Sequence, residues 1–312
     1  MKPIRFALGV VVFGAFFATA SIAQSTRTFV SGQGKDKGSC SQTAPCRTLT
    51  QAISQTSAGG VVVALDSASY APITITKAVT VEAPAGAAIT VTSGDGIDIN
   101  AGVTDVVILR GLTVNNQGSS GNGIVFNTGA TVHIEKCIAN GFNAFGMSGI
   151  AILGTGSIFV KDTIARDNYN GLAVDVGTAG TATANVDMDQ LHLDANRIGL
   201  SLQTGVDGVV NGAIRNSSAS GNSDVGMLVD ADVGGNISLD IESCLVTDST
   251  IGVVAESSSS GTVAASISFS TVSHNTVGGF NIAGGSTVNS RGNNTLIGNG
   301  PNTGVLTPLA GQ

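Results

Sequence analysis

Asn168-Tyr169-Asn170-Gly171-Leu172-Ala173-Val174-Asp175 and Asn196-Arg197-Ile198-Gly199-Leu200-Ser201-Leu202-Gln203 share one form: an Asn, two residues, a Gly, then apolar alternation. Six segments have it with Asn or Ser at the head, beginning at Asn143, Asn168, Asn196, Ser223, Ser249 and Asn275. Their glycines, Gly146, Gly171, Gly199, Gly226, Gly252 and Gly278, are spaced by 25, 28, 27, 26 and 26 residues. A nearly fixed step of this size implies one supersecondary unit stacked on copies of itself.

Working outward, each repeat carries two strands. One follows the glycine, as in Gly226-Met227-Leu228-Val229-Asp230, and one comes later, as in Ile237-Ser238-Leu239-Asp240. The inward set then shifts by one residue and runs through Cys137, Thr163, Leu191, Ser217, Cys244 and Ser270. Two residues on come Ala139, Ala165, Leu193, Ala219, Val246 and Val272. These pairs predict a stacked column of small inward side chains. The Asn and Ser heads fall at a turn, where Asn tolerates left-handed backbone and Gly frees the corner. Such Asn side chains can bond one another rung on rung as a ladder; the alternative is an Asn-lined ligand groove.

Two solenoids compete. Met188-x-x-Leu191-x-Leu193-x-x-Asn196 fits a leucine-rich repeat. Other repeats put Cys, Ala, Thr or Ser at those leucines, which would underfill that core, and an apolar strand follows each Asn-x-x-Gly. Both points favour a parallel β-helix with about three short strands per turn.

Residues 1–23 read as a secretory signal: basic Lys2 and Arg5, an apolar run from Ala7 to Ala20, then Ser21-Ile22-Ala23. The run is short for a membrane span, the competing reading. Residues 24–60 read as a cap, with a strand at Thr28–Val30 and a helix over Thr48–Ser57 that Thr48 caps and Gly59-Gly60 ends. Residues 61–312 read as the β-helix. Without the leader the chain has 12 basic and 21 acidic residues, a net charge of −9. That balance opposes nucleic-acid binding. No later segment resembles a membrane span. With 43 glycines, no Trp and only 11% charged residues, the composition suits a narrow, closely stacked interior.

Cys40 and Cys46, six apart in a polar loop of an exported chain, predict a disulfide; a metal site is the rival, with no histidine nearby. Cys137 and Cys244 lie four steps apart in one lane. At about 4.8 Å per step they are about 19 Å apart, too far to bridge. They are expected as buried free thiols.

Phe29-Val30-Ser31-Gly32, Pro45-Cys46-Arg47-Thr48-Leu49-x-x-Ala52-Ile53 and Leu65-Asp66-Ser67 resemble the N-terminal cap of bacterial secreted right-handed β-helix repeat proteins. Ser93-Gly94-Asp95-Gly96-Ile97, Leu109-Arg110-Gly111-Leu112-Thr113 and Gly123-Ile124-Val125-Phe126-Asn127 continue the likeness. The resemblance implies a single right-handed parallel β-helix, here of about eight to ten turns. The wider superfamily is similar to pectate lyases and polygalacturonases and is rich in polysaccharide enzymes, but fold alone does not carry function.

The Gly-His-Gly, Asn-Thr-Asp and Asp-Asp groups of polygalacturonase-like enzymes are absent in that form. His133, His192 and His274 occupy non-equivalent positions, and His133 and His192 read as solvated surface residues. One outward lane, Glu135, Lys161, Asp189, Arg215 and Glu242, alternates in sign and predicts an ion-pair ladder. A second lane is assigned Ile150, Asp175, Gln203, Asp230, Glu256 and Ile282. Asp230 and Glu256 are adjacent like charges there, with Asp232 close by. The readings are solvated acids, a Ca²⁺ site of Asp230, Asp232 and Glu256, or catalysis by Asp230, Glu256 and Asp175. Arg166, Arg197 and Arg215 are the available bases for a lyase, and none clearly faces that pair. The leading expectation is an exported, non-catalytic protein that binds a polysaccharide or cell-envelope partner. The alternative is a Ca²⁺-assisted polysaccharide lyase or hydrolase. The oligomeric state is left open.

Overall fold

The computed structural model describes residues 24–84, 86–177, 182–258 and 260–309; the expected signal segment lies outside the described residues. The chain coils as a right-handed parallel β-solenoid of about eight turns, each laying a strand on three faces. One face is a twelve-stranded sheet, from Ser25–Val30 to Thr307–Pro308. A second is nine-stranded, from Ile73–Ile75 to Gly278–Ile282. The third face holds the shortest strands, in runs of five and four, bridged at His192, which pairs with Ile164 and Ser218.

Alternation explains the strands. In Asn236–Glu242 the inward Ile237, Leu239 and Ile241 are buried while the residues between them are exposed. Each such aliphatic side chain contributes roughly 1.5–3 kcal/mol by leaving water. Stacked partners then form columns, such as Val160, Met188, Ile214 and Ile241. Among the described residues no helix is long and apolar enough to cross a membrane.

The corners need a different solution, because backbone groups there leave the ladders. Entering the third face, one residue per rung adopts left-handed backbone, for example Lys136, Asp162, Asn216 and Ser243, with φ of 49–54°. The inward residue that follows satisfies the groups this turn frees. Ser217 Oγ donates to the Arg215 carbonyl at 2.7 Å and accepts the Leu191 amide at 3.0 Å from the rung before. Ser270 does the same for Ser268 and Cys244. Cys137 and Cys244 are buried and unbridged, as expected. They are not merely small apolar fillers: their thiols donate to the Glu135 and Glu242 carbonyls at 3.3 and 3.2 Å. Burial pushes both thiols up to about 11, so neither is a ready nucleophile.

The second corner holds the Asn ladder. Asn196 Oδ1 accepts the Asn168 amide at 3.1 Å, and Asn222 Oδ1 accepts the Asn196 amide at 2.9 Å. Asn275 serves Ser249 likewise, and Asn299 serves Asn275, both at 3.0 Å. Asn168, Asn196, Asn222 and Asn275 are buried, so their amides line no ligand groove. Two heads are corrected: the corner residue is Asn222, not Ser223, and Phe142, not Asn143. The left-handed residue is the one before, as at Asp167, Ala195, Asp248 and His274.

The glycines also have a different role from the one expected. Gly171, Gly199, Gly226 and Gly252 stack in one column, which continues to Gly149 and Gly279, not Gly146 and Gly278. A Cβ on Gly199 would lie 2.6 Å from the Gly226 carbonyl oxygen and 2.8 Å from Asn222 Nδ2. The column requires closeness of approach rather than left-handed freedom.

At the cap, the helix is Leu49–Gln55, with Thr48 accepting the Gln51 amide and Asp36 accepting from Thr48. It ends at Thr56, whose hydroxyl donates to the Ala52 carbonyl, and Gly59-Gly60 fall inside the strand Thr56–Ala64. Cys40 and Cys46 are disulfide-bonded.

Asn196→Ala would strand the buried Asn168 amide and the Ala165 carbonyl, which Asn196 Nδ2 meets at 2.9 Å. Chemical denaturation should show a loss of roughly 1–3 kcal/mol for each group left unsatisfied. Gly199→Ala should cost about 1–3 kcal/mol through overpacking. Gly146→Asn, at φ +79° with open space around it, should change stability little.

Candidate functional site

The interior is filled by the fold, so chemistry is confined to outward lanes. In the nine-stranded sheet Val174 and Val176 point inward and place Asp175 outward. Register aligns Asp175 with Gln203, Gln203 with Asp230, and Asp230 with Glu256. The expected adjacency of Asp230 and Glu256 is therefore real. Ile150 and Ile282 do not belong to the lane: Ile150 is an inward partner of Leu172, and Ile282 pairs with Ala255. Both misplacements follow from the glycine shift at Gly149 and Gly279.

Where this sheet turns into the next, the wall formed by Asp175, Gln203, Thr204, Asp230, Asp232 and Ser258 encloses an open cleft of about 590 Å³. Burial raises the Asp175 carboxyl above the usual aspartate value. Burial also raises Asp230; the Gln203 side chain opposes this by hydrogen bonding, and the Asp232 charge adds to it. Glu256 lies outside the wall and accepts from Asn281 Nδ2 at 3.3 Å. Asp232 Oδ1 accepts the Val233 amide at 2.7 Å.

Among the described residues, no Lys, Arg or His lines this cleft. Arg197 pairs with Asp224 at 2.7 Å and lies over the Tyr169 ring, Arg215 pairs with Asp187 at 2.8 Å, and Arg166 sits beside Asp167. Among the described residues, no three His, Cys, Asp or Glu side chains are gathered closely enough to hold a metal ion. The site residues named from sequence thus divide: Asp175, Asp230 and Asp232 share a cleft, and Glu256 is a neighbour of Asp230 alone.

The outward face of the twelve-stranded sheet carries the second surface. Its charged lane is in register from Glu82 through Arg110, Glu135, Lys161, Asp189 and Arg215 to Glu242. Arg110 bridges Glu135 at 2.6 Å and Glu82 at 3.2 Å, and Lys161 reaches Asp189 at 3.3 Å. Exposed pairs of this kind contribute at most about 1 kcal/mol each.

Beside that lane the His133 and Phe159 rings stack at 4.7 Å, 9° from parallel. Phe159 remains 38% exposed. Next to it a cleft of about 310 Å³ is bordered by Phe159, Asn185, Asp187, Asn211, Ser238 and Asp240. Asn211 Nδ2 donates to Asn185 Oδ1 at 3.0 Å. Ala213, between Asp187 and Asp240 in the lane, leaves the depression open. Sequence reasoning treated His133 as a solvated residue and passed over Phe159. The available signal was a Phe at an outward strand position between inward Ile158 and Val160.

The raised Asp175 and Asp230 carboxyls have a thermodynamic consequence. An acid whose folded value exceeds its unfolded value costs stability when ionised, and the cost is relieved as pH falls through the raised value. Asp230→Asn should therefore raise Tm at pH 7, by roughly 1–3 °C. The difference from wild type should shrink as the pH is lowered toward the titration range of Asp230.

No family model matches the chain, and no curated protein does. Among solved structures the chain is similar to the crystal structure of pectate lyase Pel9A. That likeness covers 93% of this chain and 80% of that one, at 15% identity and a TM-score of 0.50. Identity so low speaks to architecture only. The protein is a β-helix of the pectate-lyase-like fold.

Proposed function

We propose that the protein is an exported, non-catalytic β-helix that binds a glycan along the outward face of its twelve-stranded sheet. The observation that carries this reading is the His133–Phe159 platform beside the Asn185–Asn211 amides and the Asp187 and Asp240 carboxylates. A sugar ring has an apolar C–H face and a rim of hydroxyls. An exposed aromatic face flanked by fixed amides and carboxylates matches both. Parallel rungs about 4.8 Å apart set the aromatic pair, the amides and the carboxylates in sequence along the axis, which suits an extended chain. The Cys40–Cys46 disulfide and the leader-like N-terminus support export.

The rival is a lyase or hydrolase working in the Asp175, Asp230 and Glu256 lane with Ca²⁺. The raised Asp230 carboxyl favours it, since a general acid needs that shift. Against it, a uronan lyase often uses an Arg or Lys base beside its acidic cluster, and among the described residues the cleft wall has neither.

The mature protein should be retained by one or more members of a panel of plant and bacterial polysaccharides, with and without Ca²⁺, without releasing reducing ends or unsaturated uronate. Phe159→Ala should weaken that retention about tenfold, equivalent to about 1.4 kcal/mol. Product release, or retention indifferent to Phe159, would overturn the reading. A rise in Tm on adding Ca²⁺ that Asp230→Asn abolishes would favour the rival.

A further inference from the structure

A solenoid has two ends, and at each the last rung lacks a neighbour to pair its backbone and cover its core. The two ends of this chain differ. At the start, the helix Leu49–Gln55 lies against the first strands of two faces, Ser25–Val30 and Ile73–Ile75, and buries Leu49, Ala52 and Ile53. The cap loop beside it carries exposed Lys35, Asp36 and Lys37.

At the finish, the last strand of the third face, Thr295–Ile297, pairs with Thr271–Ser273, and among the described residues no strand pairs on its other side. The Thr295 amide donates back to the Ser270 carbonyl, and the Ile297 carbonyl accepts the His274 amide. Alternation along a parallel strand therefore turns the N–H and C=O of Leu296, the residue between them, toward the open end. Among the described residues no turn or loop group bonds either one. Leu296 continues the inward lane of Val246 and Val272, both fully buried, yet it is 43% exposed. Ile297 is exposed as well.

Charge separates this end from the rest. All 21 acidic residues lie at or before Glu256. From Ser257 to Gln312 the sequence holds a single Lys or Arg, Arg291. Open strand edges are ordinarily blocked by charges or proline. Pro308 blunts the edge of the twelve-stranded sheet, but the Thr295–Ile297 edge carries neither. An edge that offers one donor, one acceptor and an apolar side chain, with no charge, is complemented by a copy of itself. Two chains that are both acidic elsewhere repel on other approaches but not on this one.

We propose that two copies of the chain join end to end at this uncharged edge, with Thr295–Ile297 pairing antiparallel to its own copy about a two-fold axis at Leu296. A two-fold reverses the strand, and the two Leu296 residues then exchange both N–H···O bonds as an antiparallel pair. The inward lanes of the two solenoids meet, and each Leu296 side chain covers the other. The joint uses up the edge, and the helix at the far end offers no second one, so association stops at two. Neither the His133–Phe159 platform nor the acidic cleft takes part, so this inference is independent of the glycan reading.

The test is sedimentation velocity of the mature protein between about 1 and 200 µM, with amide exchange followed over the same range. One chain should give way to a species of two chains and nothing larger, and exchange at Leu296 should slow at least tenfold as it does. Raising the salt should not weaken the dimer, since no ion pair spans the joint. Ile297→Lys and Ile297→Asp should each weaken association at least tenfold by setting like charges across the axis, and mixing the two should restore it. Val103→Lys, on an exposed turn of an early rung, should dimerise as the wild type does. A single chain throughout, growth beyond two, or Leu296 exchange indifferent to concentration overturns the proposal. So does a mixture of the two Ile297 variants that stays apart, or a dimer that Val103→Lys or high salt dissolves.

Discussion

A coil of parallel strands satisfies its own backbone along the faces and abandons it at the corners. The buried Asn ladder answers that problem: each side chain reaches the amide of the rung before it, as Asn196 does for Asn168 and Asn222 for Asn196. This bond forms only if successive rungs lie directly above one another. The adjoining glycine column enforces the same condition from the other side, since the Gly199 Cα sits where only hydrogen fits beside the Gly226 carbonyl. The hydroxyl and thiol column repeats the logic at the first corner, where Ser217 and Ser270 each mend two broken backbone bonds. Burial of aliphatic lanes supplies most of the driving force, but lanes of similar residues can slide. The corners fix the register.

Fixed register is what turns outward residues into surfaces. Asp175, Gln203 and Asp230 are far apart in the chain and become a column only because the corners hold. The same holds for His133 over Phe159 and Asn211 over Asn185. The two surfaces differ in their energetics. The charged lane around Arg110 balances itself and explains itself as structure. The acidic cleft does not balance: burial shifts the Asp175 and Asp230 carboxyls up, and among the described residues no basic side chain lines its wall. An arrangement that costs stability in the free protein is where a ligand has most to offer.

Much of the architecture was legible because it is periodic. The burial of Cys137 and Cys244, the Cys40–Cys46 bridge and the lanes through Ala139 and Ala165 all followed from spacing. The errors came where the corner changes length. The glycine comes three positions after Asn168 and Asn196 (Gly171, Gly199), but four after Asn222 and Asn275 (Gly226, Gly279) and seven after Phe142 (Gly149). A pattern fixed at Asn-x-x-Gly therefore chose Ser223, Asn143, Gly146 and Gly278, and carried Ile150 and Ile282 into the acidic lane. The role of Ser217 and its equivalents was hidden because a small buried residue looks the same whether it fills space or mends a turn. Of the candidate site, the Asp230–Glu256 adjacency was readable. The cleft was not, since it depends on how the turns after Thr204 and Ala231 bend and on which way Glu256 leans.

Native-state hydrogen exchange tests the corner constraint most directly. The amides of Phe142, Asn168, Asn196, Ser249 and Asn275 belong to turns, yet each donates to an Asn side chain of the following rung. If that bond holds the coils in register, these amides exchange as slowly as those in the adjoining strands and open only with the whole stack. Exchange as fast as that of exposed turn amides would show that the ladder is incidental and that register is set elsewhere.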